Sequence, residues 1–135
     1  MVLIPWESDF AVGVEKIDID HKKFIDAINK LHNDIMTLTK LESIDKAVND
    51  FVKTVKSCFD EENDFLDRYN YPDSDTHIKE HQQFLERIEE FHKDFLAKKT
   101  AVSFEIISFL RNWVRNHFFA SDQRFAEFFR NMKAK

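Results

Sequence analysis

Glycine occurs once in these 135 residues, proline twice and cysteine once. Sandwiches and barrels need turn formers every few residues, so this scarcity excludes them and leaves long helices joined by few loops. One cysteine cannot make an intramolecular disulfide, which suits a reducing compartment and leads us to expect a cytoplasmic protein. Basic charge is not in excess: 20 Lys and Arg against 25 Asp and Glu give a net charge of −5. No nucleic-acid face is expected from that balance. No apolar run reaches the ~18 residues that span a bilayer. The start Met-Val-Leu-Ile-Pro-Trp has no basic residue and no signal-type apolar core, so a membrane partner is not expected either.

What is present is apolar residues at helical spacing, 43% of the chain, mixed with 33% charged residues. The length fits a single domain able to bury its own core, residues 1–135. Within it, 1–17 reads as an irregular N-terminal arm carrying Pro5, Trp6, Phe10 and Gly13, and 18–135 as a helical bundle. Asp18 or Asp20 can cap a first helix whose stripe is Phe24, Ile25, Ile28, Leu31 and Ile35. Ser43 can cap a second, running through Val48, Phe51, Val55, Phe59, Glu62 and Leu66 to Tyr69. Asn70-Tyr71-Pro72-Asp73 is the strongest turn signal. A third helix is expected from Ser74 to Ala97, with Phe84, Ile88, Phe91 and Phe95 inward. A turn at Lys98-Lys99-Thr100 then precedes a fourth helix from Ser103 to Met132. Short connections between long helices imply an all-α, up-down-up-down antiparallel four-helix bundle. Fifteen phenylalanines are read first as core filling, and second as an apolar lining that keeps water from a reactive centre.

Histidines and carboxylates recur on these helices at one level. His77 and His81 are four apart, about 40° of rotation, so both imidazoles leave one face a turn apart. His21 falls early in helix one, Glu62 late in helix two, and His117 and Asp122 late in helix four. In an up-down bundle all six lie at the same end, and mixed imidazole and carboxylate donors there point to a transition-metal site. Asp122 conflicts with a regular helix: five residues past His117 is about 140° of rotation, away from the histidine face. A local one-residue widening of the helix would turn it inward, and such widenings favour functional sites.

These residues resemble the hemerythrin family, in particular its single-domain bacteriohemerythrins, over essentially the whole chain. Trp6 with Phe10, Val12 and Gly13 is similar to that family's arm, and Ile17-Asp18-Ile19-Asp20-His21 to its first ligand segment. Tyr71-Pro72 followed by His77-x-x-x-His81 resembles its third-helix pair, and Trp113-x-x-x-His117-x-x-x-x-Asp122 its fourth-helix signature. The resemblance implies a non-haem di-iron centre that binds O2 reversibly. His77, His81 and His117 would hold one iron and His21 the other. Glu62 and Asp122 would bridge the two irons together with an oxo or hydroxo group. One position departs from the family pattern, which has His-Phe-x-x-Glu on the second helix. Here Cys58-Phe59-Asp60-Glu61-Glu62 puts cysteine where that histidine belongs. A thiolate binds iron, but its sulfur lies too near the backbone to reach an imidazole's metal position from an unmoved helix.

Plainer readings stand beside these. His77 and His81 could be a surface pair, His21 a hydrogen-bonded core histidine, and Cys58 a small buried hydrophobe rather than a metal-side sulfur. Glu61 is expected in solvent or behind the ligands, and His32 and His92 level with each other at the far end, partly exposed. The expected function is O2 carriage, storage or sensing, with an altered second iron site. The alternatives are an enzyme reducing peroxide or nitric oxide beside a thiol, and a degenerate member holding one iron or none.

Overall fold

The computed structural model describes residues 3–37, 40–96 and 102–133. Among them there is no strand, and the order is a short 3-10 turn (Ser8–Phe10), α1 (Glu15–Thr37), α2 (Leu41–Arg68), α3 (Ser74–Leu96), α4 (Val102–Asn116), a π turn (His117–Ser121) and α5 (Asp122–Lys133). The last three elements form one bent fourth helix. α1 packs on α2, α2 on α3, α3 on α4 and α4 back on α1, the up-down-up-down four-helix bundle. Its core takes the predicted stripes of the first three helices, Phe24, Ile28 and Leu31 from α1, Val48 and Val55 from α2, and Phe84 and Ile88 from α3, joined by Ile106 and Leu110 from α4.

The starts of α1 and α2 differ from the sequence reading, whereas α3 begins at Ser74 as expected. Neither Asp18 nor Asp20 caps α1, which begins at Glu15. Gly13, at φ +85°, makes the turn into it, a conformation that glycine adopts without a Cβ clash. Asp18 lies in the first helical turn and accepts the Val12 N–H at 2.7 Å, tying the arm to the helix. Ser43 likewise sits inside α2, whose flanking residue is Lys40 and has no side-chain cap. The predicted end of α2 is found: Asn70 is left-handed at φ 54°, and Tyr71 N–H returns to Leu66 O at 3.1 Å, a Schellman-type close. The expected turn at Lys98-Lys99-Thr100, the end of α3 at Ala97 and the inward side chain of Phe95 lie outside what is described.

The fourth helix contains the widening that the His117-to-Asp122 spacing requires. Asp122 N–H donates to His117 O, five residues back rather than four. The extra residue rotates Asp122 onto the histidine face, where it is fully buried.

Candidate metal centre

All six predicted residues meet at one end of the bundle and are buried. His77 Nε2 lies 2.6 Å from Glu62 Oε1 and 3.0 Å from Asp122 Oδ1. His117 Nε2 is 3.1 Å from the same Asp122 oxygen, and His81 Nε2 is 3.4 Å from Glu62 Oε1. His21 Nε2 faces the opposite oxygens, Glu62 Oε2 at 3.0 Å and Asp122 Oδ2 at 3.3 Å. Each carboxylate thus turns one oxygen to the three-histidine side and the other to His21. Two groups of donors that could hold a cation result, Glu62 with His77, His81 and His117, and His21 with Glu62 and Asp122.

Outer partners fix which nitrogen faces inward. His21 Nδ1–H donates to Phe10 O at 2.9 Å, His81 Nδ1–H to Asn63 Oδ1 at 2.8 Å, and His117 Nδ1–H to Glu80 Oε1 at 2.8 Å. Ser121 Oγ also donates to Glu80, at 2.6 Å. With each Nδ1 used, the Nε2 lone pairs converge. Flat contacts hold the rings as well: His81 stacks on Phe59 at 3.9 Å, His117 on Trp113 at 4.3 Å and His21 on Phe118 at 4.5 Å. Phe24 touches Phe59, Phe84, Trp113 and Phe118 beneath them. Core filling and an apolar floor for the site are therefore the same rings.

This arrangement fits a bound cation on two counts. His81 Nε2 and His117 Nε2 stand 3.1 Å apart, and with both Nδ1 protons donated outward a further proton or a cation must sit between them to relieve the facing lone pairs. Neither oxygen of buried Asp122 receives a hydrogen bond of good geometry. Donor separations near 3 Å are also the cis edge expected around a metal with bonds of about 2.1 Å.

The charges say the same. Burial alone would lower His77, but the Asp122 and Glu62 carboxylates set against its Nε2 lift it to about 10. Burial likewise opposes the Asp122 charge and the Glu62 hydrogen bond at His21, which rises to about 9. His81 is lowered, by burial first and then by its positive neighbours. Burial would raise Glu62, yet hydrogen bonds from His21 and His77 hold it well below the usual carboxylate range. Negative carboxylates here hold protons on imidazoles, positive charge that a metal ion could replace.

Cys58 is not in this cluster. Its Sγ turns away, donating to the backbone carbonyl of Asp20 at 3.4 Å, and burial with the Asp20 charge pushes the thiol up to about 12. It borders an outward cavity of about 450 Å³ together with Asp20, Lys23 and Lys53. Asp20, buried and raised to about 7 by burial and by a hydrogen bond with Glu61, has no forerunner in the sequence reading as a buried acid. Glu61 itself stays partly exposed. Phe10, Asn63, Glu80 and Ser121 were also not legible as site partners, although Ser121 follows His117 by the one-turn interval that brings both to Glu80. At the other end His92 pairs with Asp45, and His32 is half-buried.

Residues 12–129 match the family model described as the hemerythrin HHE cation binding domain. The chain is 28% identical to a bacteriohemerythrin of Stenotrophomonas maltophilia over 94% of its own length and 82% of that protein. It is 29% identical to a bacteriohemerythrin of Methylococcus capsulatus, covering 87% and 89%. A hemerythrin-like protein of Naegleria gruberi is also 29% identical, over 89% and 88%. The fold superposes on a crystal structure of wild-type hemerythrin with a TM-score of 0.80 at 26% identity, covering 93% of this chain and 96% of that one. A centre of histidines and carboxylates in a four-helix bundle, matched over most of its length by the family model and these relatives, makes this chain a member of the hemerythrin family.

Proposed function

We propose that the chain, acting as one domain, holds two non-haem iron ions and binds O2 reversibly, as a carrier, store or sensor. The observation that carries this reading is the split of each carboxylate: Glu62 Oε1 and Asp122 Oδ1 face His77 and its neighbours, Oε2 and Oδ2 face His21. Carboxylates so placed can serve two adjacent cations rather than one, and the two irons would share an oxo or hydroxo group. His77, His81 and His117 with two carboxylate oxygens give the first position five donors. His21 with the other two oxygens gives the second position three, so this is the half open to O2. Ferrous iron supplies, when bound, the electrons that O2 takes up reversibly.

The chain's own contribution is orientation and exclusion of water. Phe10 O, Asn63 and Glu80 set the imidazoles, while Phe24, Phe59 and Phe118 keep the floor apolar. We favour binding over turnover because Cys58 is a neutral thiol pointed at a backbone carbonyl, not a thiolate beside the second position. The test is iron content per chain with a visible spectrum taken through cycles of air and argon. Two irons and a charge-transfer band that comes and goes with O2 are expected. A single iron, or a band that bleaches in the first cycle, would defeat the proposal.

A further inference from the structure

We propose that the N-terminal arm is a strap that selects occupancy of the second cation position, with Asn29 as its positioning residue. This rests on the two-position reading above. Asn29, on α1, grips the arm's backbone with both ends of its amide. Its Oδ1 accepts the Ile4 N–H at 2.9 Å and its Nδ2–H donates to Ile4 O at 2.8 Å. Further along, Lys22 lies over the Trp6 ring at 5.2 Å, Trp6 meets Phe10 edge-on at 5.5 Å, and Phe10 meets Phe118 at 5.3 Å. The strap ends where Val12 N–H reaches Asp18. Between these fastenings Phe10 O receives the His21 Nδ1–H.

Among the described residues, the arm supplies the Nδ1 partner of His21 alone; Asn63 of α2 and Glu80 of α3 hold His81 and His117. If the arm lifts, His21 loses the bond that aims Nε2, the one nitrogen among the described donors of the second position. The outer partners of the five-donor position's histidines, Asn63 and Glu80, stay in place. A cation at the second position therefore favours the docked arm, and by reciprocity the docked arm favours that cation. The N-terminus and the more open metal are thereby coupled across the length from Ile4 to His21.

The experiment adds one and then two equivalents of iron(II) without oxygen, and follows metal affinity together with amide hydrogen exchange. In the wild-type chain the first equivalent should leave exchange at Ile4 and Val12 unchanged. The second should slow it about tenfold or more. Asn29→Ala should speed arm exchange and weaken the second equivalent alone, by about tenfold for the two lost hydrogen bonds. Asn29→Asp, which keeps the acceptor and loses the donor, should fall between. The unchanged first equivalent reports that the variant has folded, and a merely structural defect would weaken both. Two equivalents bound with arm exchange unaffected, or Asn29→Ala weakening both or neither, would overturn the strap alone. A wild-type chain that takes only one equivalent would overturn the two-position reading and the strap with it.

Discussion

Metal uptake by this centre must displace protons, and their number follows from the charges around it. In the metal-free chain at pH 7, His21 at about 9 and His77 at about 10 each hold a proton. Glu62 and Asp122, both lowered, are ionised, and His81, lowered, is neutral. Two imidazolium ions then face two carboxylates. Loading should release about two protons per chain at pH 7, with a further contribution from His117, which is also raised. Release should vanish above pH 10. Both histidines are raised on folding, so their stabilisation is complete below about pH 6.5, the unfolded value, and disappears as pH climbs through 9 and 10. For His21 the change from 6.5 to about 9 is worth about 3 kcal/mol. His77 draws on the same two carboxylates, so roughly 5 kcal/mol for the pair is a fair figure. The metal-free chain should therefore melt about 15 °C lower at pH 10.5 than at pH 6.5. The metal-loaded chain, with imidazoles held neutral on the metal, should lack that fall. Calorimetric titration in buffers of different ionisation enthalpy counts the protons, and thermal melts across the window test the sign. Fewer than one proton released at pH 7, or a flat metal-free melting profile, would refute the charge assignment.

His77→Ala should lose most bound metal and lower stability by about 3–5 kcal/mol, because Glu62 and Asp122 then face each other with less positive charge between them; metal analysis and a melt at pH 7 check it, and unchanged values in both would remove His77 from the site. Cys58→His should tighten the hold on the second iron and lengthen the oxygenated state, whereas Cys58→Ser removes the oxidisable sulfur without adding a nitrogen. If neither substitution alters metal content or oxygenated lifetime, the altered-site argument fails. Glu80→Gln should weaken the first position about 10–100-fold, since Glu80, held at about 2 against burial by His117 and Ser121, sets the His117 ring. An unchanged first-equivalent affinity in a chelator competition would count against that role.

The bundle was legible because burial repeats at helical spacing and one strong turn sits at Asn70-Tyr71-Pro72. The widening before Asp122 was legible for a sharper reason: two residues needed on one face were spaced against the helical period, so the backbone had to yield. The starts of α1 and α2 were not legible, whereas α3 begins at the expected Ser74. Asp18, Asp20 and Ser43 are cap-prone residue types, but a cap is made by position. Here the arm's Gly13 turn and the Val12-to-Asp18 bond fix where α1 begins. Asp18 binds a backbone N–H, as a cap would, but from within the first turn. Residue type alone carries no sign of that.

The six inward residues could be read from the sequence because few residue types do this chemistry and their spacing is periodic. Their outer partners could not. Phe10 contributes a carbonyl, which any residue owns, and Asn63 and Glu80 look like ordinary polar positions until the neighbouring helix is in place. The consequence reaches function. The five-donor half is held by side chains of α2 and α3 behind its histidines, so its geometry is as rigid as the bundle. The three-donor half depends on a backbone carbonyl from the arm, and the nearby Cys58 adds no donor because its sulfur is turned to Asp20 O. Openness to a small ligand and looseness of the metal therefore fall on the same half. On the two-iron proposal, a chain built this way would keep one cation as structure and expose the other to exchange, so the conditions that admit O2 most freely would also be those under which the second iron is most easily lost.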